Sequence, residues 1–128
     1  MHIPTAIFVF SMLFCTVSCM TTPRRIADSL PKIEMDLLSI GPSGLRGPAD
    51  GRVAVSYEFA IPNTEECRAE VRAIDPTVEF MAGSPGRIGA PRSGCLCIGS
   101  THQPNYRDVL RRLVELPYIE RIVECYFE

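Results

Sequence analysis

The sequence predicts an α+β fold, and two observations lead to it. Segments that alternate apolar and polar residues are followed by segments in which apolar residues recur every three or four positions, as expected for a strand followed by an amphipathic helix. The order strand, Pro-Asn, helix, strand also occurs twice, with Pro62 and Pro104 42 residues apart. Two such units in series predict a ferredoxin-like βαββαβ sandwich: a four-stranded antiparallel sheet with two helices on one face. An unrelated α+β arrangement is the alternative.

The first repeat covers residues 52–81. Its opening strand has alternating core-facing residues, and these are Val53, Val55, Tyr57, Phe59 and Ile61. Pro62 ends the strand, and Asn63 followed by Glu66 matches a capping box at a helix start. The helix has an apolar stripe of Cys67, Val71 and Ile74, and the β-branched segment 77–81 predicts the second strand.

The second repeat begins after the turn-rich segment 82–94, for which a hairpin loop is favoured over an anion-binding cradle. Residues 95–98 predict the third strand, and Pro104-Asn105 begins the second helix. That helix has apolar residues at spacings of three and four, namely Tyr106, Val109, Leu110, Leu113 and Leu116. In the last strand, the alternation predicts that Ile119, Val123, Cys125 and Phe127 face the core. It places Glu120, Ile122, Glu124, Tyr126 and Glu128 on the outer face.

The first twenty residues predict export. Residues 6–17 form an uncharged apolar run of the length found in the central region of a secretory signal peptide. The run is shorter than the ~20 residues of a membrane-spanning helix. The segment Thr16-Val17-Ser18-Cys19 resembles the lipobox of bacterial lipoproteins. The resemblance implies cleavage before Cys19, lipidation of that cysteine and a membrane-anchored or periplasmic location in the cell envelope. Arg24 and Arg25, which follow the run, leave an uncleaved anchor as the alternative.

Three regions are therefore predicted. Residues 1–19 form a signal peptide of the lipoprotein type, residues 20–50 a flexible tether, and residues 51–128 the α+β domain. The tether prediction depends on repeated prolines and glycines, which interrupt regular structure.

The overall composition narrows the classes of function. The chain has 128 residues, 46% of them hydrophobic, with 13 basic and 15 acidic side chains. This hydrophobic content excludes a wholly disordered chain, and the lack of a basic excess argues against a nucleic-acid partner. No catalytic motif is present, and no cofactor is predicted. The sequence therefore favours binding over catalysis.

Four cysteines lie in the predicted domain: Cys67, Cys95, Cys97 and Cys125. An even number in an exported domain predicts disulfides, and the sequence leaves the connectivity open. Buried free thiols are one alternative, since cysteine behaves as a small hydrophobic residue. The other is an extracytoplasmic site for a soft metal, Cu or Zn, formed by Cys95, Cys97 and His102.

The predicted outer face of the sheet is the candidate partner surface. Its members are small or apolar, and they are Ala54, Ser56, Ala60, Ile122 and Tyr126. Such residues on an uncovered sheet indicate docking of a protein partner or of a second copy of the chain. An ordinary half-polar sheet face is the alternative. The sequence thus predicts an exported, membrane-anchored binding protein.

Overall fold

A computed structural model describes residues 32–126, which form a mixed α+β fold. The large sheet contains β1 (Ile33–Glu34), β4 (Ser56–Pro62), β5 (Glu79–Ala82), β6 (Gly94–Ser100) and β7 (Ile122–Cys125). A small sheet pairs β2 (Leu45–Arg46) with β3 (Val53–Ala54). The helices are α1 (Glu65–Ile74) and α2 (Tyr106–Val114), and a single 3-10 turn covers Leu37–Ser39.

The large sheet has five strands in the order β1-β7-β4-β6-β5, and β1 is parallel to β7 while the other pairs are antiparallel. The predicted four-stranded antiparallel ferredoxin-like sheet is therefore wrong. The difference arises from β1, a strand in the segment predicted as a tether. The Ile122 amide donates to the Lys32 carbonyl at 2.7 Å, and Ile33 packs against the core, so this segment extends the sheet.

Residues 32–50 also contribute to the core beyond β1. The Ile40 side chain is 1% exposed, and the Tyr106 hydroxyl donates to the Ile40 carbonyl at 3.1 Å. The Gly44 carbonyl accepts a hydrogen bond of 2.6 Å from Thr101 Oγ1. This part of the predicted tether is thus packed on the domain, and the tether remains a prediction for residues 20–31, which lie outside the described part.

The core lies between one face of the large sheet and the two helices. Both predicted helices are present and their apolar residues pack in the core, although α2 ends at Val114, before the predicted Leu116. The main buried contributors are Tyr57, Phe59, Ile61, Val71, Cys95, Cys97, Leu110 and Leu113. The α1 N-cap is Thr64, whose side chain accepts from the Cys67 amide at 3.2 Å, and not Asn63 as predicted.

The faces of β7 are opposite to those predicted. Ile122 is fully buried, and Val123 pairs with Glu58, which projects from the sheet face away from the helices. Ile122 and Glu124 therefore lie on the helix side, while Val123 and Cys125 lie on the outer side. Ile119 is buried as predicted, but it precedes the strand, so its position does not fix the strand's alternation.

A buried polar network joins α1, β4 and the segment before α2. Asp75, which is fully buried at the end of α1, accepts from the Tyr57 hydroxyl, from the Thr77 amide and hydroxyl, and from Gln103 Nε2. Gln103 Nε2 also donates to the Ser100 carbonyl at 2.7 Å. Burial and the neighbouring Asp75 carboxylate raise the pKa of Tyr57, so its hydroxyl keeps its proton.

An ion pair attaches the small sheet to the large one. Arg46 on β2 donates two hydrogen bonds to the Glu124 carboxylate on β7, at 2.6 and 3.1 Å. These bonds lower the pKa of Glu124 below its ordinary value. A carboxyl whose pKa is lower in the folded chain stabilises the fold above its unfolded pKa, about 4.3. That contribution disappears as the pH falls through the folded pKa.

We expect Glu124→Gln to lower the free energy of unfolding by about 1 kcal/mol at pH ~7, and the difference from the unchanged chain to shrink towards pH ~2.5. Urea titrations of the full chain in mild detergent measure this. The control is Glu115→Gln, which removes an exposed pair with Arg111 on α2 and should change the free energy by less than about 0.5 kcal/mol. A Glu124→Gln effect that is the same at both pH values would contradict the linkage.

Candidate functional site

The predicted cysteine sites are separated in the structure. Cys19 lies outside the described residues. The other four are free thiols: Cys95 and Cys97 are fully buried, while Cys67 and Cys125 are half-buried. Cys97 pairs with Phe59 and Cys125 with Ser56, so these two cysteines project from opposite faces of the sheet. The disulfide prediction therefore gains no support from the structure.

Burial keeps Cys97 and Cys125 in the protonated thiol form. Burial raises the pKa of the Cys97 thiol, and the neighbouring Cys95 raises it further, so the thiol is neutral at physiological pH. Burial also raises the pKa of Cys125, beside the Glu58 carboxylate. Neutral thiols are poor nucleophiles and poor metal ligands.

The three residues of the alternative metal site do not lie together in the structure. The side chains of Cys95 and Cys97 point into the core, whereas His102 is exposed beyond the end of β6. Four residues lie between Cys97 and His102, and β6 ends at Ser100, before His102. Among the described residues, no group of three or more His, Cys, Asp or Glu side chains is placed to hold a metal ion.

The predicted partner surface is not one surface. Ile122 is buried in the core, so its assignment to an outer face is wrong. Ala54 lies on the small sheet, while Ser56 and Ala60 are half-buried on β4. Tyr126 is 57% exposed, and the Arg87 guanidinium carbon lies 5.4 Å from its ring centroid.

The outer face is covered because the loop between β5 and β6 folds back over it. At Gly86 a Cβ atom would lie 2.7 Å from Leu96 Cδ1 and 2.8 Å from Glu58 Oε2. Leu96 and Glu58 are each 2% exposed on this face. The Ile88 amide donates to Glu58 Oε1 at 2.9 Å, so a loop amide binds a carboxylate of the protein itself.

A cleft of about 460 Å³ opens where this loop, the end of β4 and residues 118–121 meet. Its apolar lining includes Ala60, Pro62, Ile88, Pro91 and Tyr118, and Glu120 and Arg121 supply the charged groups. The volume lies within the range of ~300–1,000 Å³ typical of ligand pockets. We call this region the β4 cleft.

The two charged side chains that line the β4 cleft differ in whether they are paired within the protein. Arg121 pairs with Glu34 at 3.3 Å and donates to the Ile88 carbonyl at 3.3 Å. The Tyr118 hydroxyl donates to the Glu70 carboxylate. Within residues 32–126, the exposed Glu120 carboxylate pairs with no cation. The cleft therefore combines apolar side chains with one carboxylate, Glu120, whose charge is not paired within residues 32–126.

Sequence reasoning missed the β4 cleft. Pro62 is recognised from the sequence only as the end of a strand, and the last strand is predicted to begin at Ile119. The one local signal is Pro117, which precedes this segment and disfavours regular pairing.

Neither helix in the described part of the chain is long and apolar enough to cross a membrane. Comparisons with protein families, with curated proteins and with solved structures find no match.

Proposed function

We propose that this protein is a small exported binding module that recognises a partner protein in the β4 cleft and performs no catalysis. One observation carries the proposal: a cleft lined by both apolar and charged side chains lies at the point where the large sheet is incomplete. Concave sites that combine apolar side chains with a few polar groups are typical binding sites.

The rest of the described chain favours binding over the soft-metal alternative. The cysteines that would hold a metal are buried in the core, whereas His102 is exposed beyond the end of β6. The buried Asp75 carboxylate is fully engaged by donors of the protein itself. Neither group is accessible to a reacting molecule.

Export and membrane anchoring through Cys19 belong to the same proposal. Their support is the apolar run at residues 6–17 and the resemblance of residues 16–19 to a lipobox. An anchored module of this kind would present the cleft to partners in the cell envelope.

The proposal is tested by photo-crosslinking in the cells that make the protein. A benzophenone side chain is placed at Ser93, in the cleft wall, or at Ala73, exposed on α1. We expect a discrete adduct from position 93 in the membrane fraction and none from position 73. Intact-mass spectrometry of that fraction should show a chain that begins at Cys19 and carries an acyl mass increment.

Two variants connect the adduct to the cleft. Ala60→Phe fills the β4 cleft, and Ala54→Phe is its matched control on the exposed strand β3. The adduct should disappear with Ala60→Phe and persist with Ala54→Phe, with urea titrations confirming that both variants fold. If Ala60→Phe is unfolded, Ile88→Trp with the benzophenone kept at position 93 replaces it. An adduct that survives a folded cleft-filling variant, or no adduct at all, would overturn the proposal.

A further inference from the structure

The main chain of β4 is only partly paired on the side of β7. β6 pairs with all of β4, from Ser56↔Ser100 to Pro62↔Gly94, whereas pairing with β7 ends at Glu58↔Val123. The second half of β4 therefore has a strand on one side and the β4 cleft on the other.

Hydrogen-bond alternation identifies which groups face the cleft. The Val55 carbonyl accepts from the Thr101 amide at 2.9 Å, so Val55 directs its main-chain groups towards β6. Successive residues in an antiparallel strand alternate the side to which both groups point. Tyr57 and Ile61 therefore point to β6, while Glu58 and Ala60 point to the other side. Glu58 meets β7 there, and the N–H and C=O of Ala60 face the cleft that Ala60 lines.

The opposite wall is kept out of strand pairing. Extension of the register would put Arg121 opposite Ala60, but β7 begins only at Ile122. Lys32 Nζ donates to the carbonyls of Ile119 and Val114, at 2.9 and 3.0 Å. The Ile119 side chain is also fully buried. These contacts fix the segment before β7 in a non-strand conformation, so the gap is a property of the folded chain.

We propose that the β4 cleft binds an extended peptide segment that pairs its main chain with Ala60 and places a basic side chain beside Glu120. This inference rests on the proposed function and names the class of partner. Addition of a strand to an open edge uses main-chain hydrogen bonds for affinity and side-chain contacts for specificity. Ile88 and Pro91 provide the apolar contacts. Charge complementarity selects lysine or arginine, because the Arg121 charge is paired with Glu34 and Glu120 has no such pair within residues 32–126.

The probe is the blocked peptide acetyl-VKVKV-amide, titrated into the full chain in mild detergent and followed by amide NMR shifts. Binding should shift the amide resonances of Ala60, Glu120 and Arg121 and slow hydrogen exchange at Ala60. A peptide N-methylated at two adjacent central residues, which blocks both of its edges, should bind about tenfold more weakly. Equal binding of the two peptides would overturn main-chain pairing.

The charge part of the proposal has its own variants. Glu120→Gln should weaken binding of the lysine peptide about threefold and leave a peptide with glutamine in place of lysine unchanged. Glu79→Gln, an exposed carboxylate on the far strand β5, is the matched control and should change neither. An effect of Glu120→Gln on both peptides, or on neither, would overturn selection by charge.

The outcomes separate this inference from the proposed function. If no peptide shifts Ala60 while the Ser93 adduct remains sensitive to cleft filling, the cleft binds a partner of other chemistry and the peptide inference fails alone. If both the peptide and the adduct are absent, the proposed function fails as well.

Discussion

Replacing Asp75 with alanine is expected to lower the free energy of unfolding by about 4 kcal/mol. The carboxylate is fully buried and accepts hydrogen bonds from Tyr57, Thr77 and Gln103. Its removal leaves the buried Tyr57 hydroxyl and the half-buried Thr77 donors without this acceptor, while Gln103 keeps the Ser100 carbonyl. An unsatisfied buried donor costs about 1–3 kcal/mol, and the loss of a shared network adds to this cost. The network joins α1 to β4 and to the segment before α2, so its loss affects three elements together.

Urea titration of the full chain in mild detergent measures this effect. Asp108→Ala is the matched control, because the Asp108 side chain is 65% exposed and pairs with Arg111 on the surface of α2. It should cost less than about 0.5 kcal/mol. Tyr57→Phe, which removes one donor and leaves the others, should cost about 1–2 kcal/mol. A loss below about 1 kcal/mol for Asp75→Ala would mean that the network does not stabilise the fold.

Gly44→Ala should also destabilise the fold by about 4 kcal/mol, through left-handed strain and overpacking together. Gly44 has a φ of +79°, a conformation that alanine adopts at a cost. A Cβ atom there would overlap the Thr101 carbonyl oxygen and lie 2.6 Å from its carbonyl carbon. These are backbone atoms of the segment that binds the Gly44 carbonyl, so no rotamer change relieves the overlap.

Gly89→Ala isolates the conformational part of that cost. Gly89 has a φ of +73°, close to that of Gly44, but nothing lies within 4 Å of a Cβ atom there. It should cost only about 1 kcal/mol. Thermal and urea unfolding of the two variants give the comparison. Equal losses at the two glycines would show that the contact between residues 44 and 101 is unimportant for stability.

Local pattern predicted the helices well, since the spacing of Val71 and Leu110 among apolar neighbours is set by each helix alone. The faces of β7 could not be predicted in this way. Ile122 and Val123 are both apolar, and both faces of the strand also carry a polar or small residue. Which face of β7 turns towards the helices depends on Arg46. This residue is 78 residues from Glu124 and neutralises that carboxylate on the helix side. A long-range ion pair leaves no periodic signal in the sequence.

Strand β1 was not predicted, for a related reason. Proline and glycine around Ile33 and Ile40 indicate a lead-in segment, and two-residue strands are too short to alternate visibly. The acceptors that hold this segment are main-chain groups elsewhere in the fold, such as the Ile119 carbonyl that accepts from Lys32. Every residue carries a main-chain carbonyl, so the residue types in the sequence do not show which carbonyls accept these hydrogen bonds.

The candidate site was the least predictable feature. The β4 cleft is formed by a strand that fails to continue, and alternation alone predicts that Ile119 and Glu120 extend the strand. The loop wall at Ile88 is placed by one hydrogen bond to Glu58.

Placement of β1 also has a consequence for the order of folding. Ile33 pairs with Ile122, 89 residues later in the chain, and β7 lies between β1 and β4. Contacts between residues so far apart raise the contact order, which slows folding. β1 pairs with β7 in the sheet, so the ribosome has to synthesise the chain beyond residue 122 before β1 can join the sheet. The edge at β1 is therefore completed only after nearly all of residues 32–126 have been made.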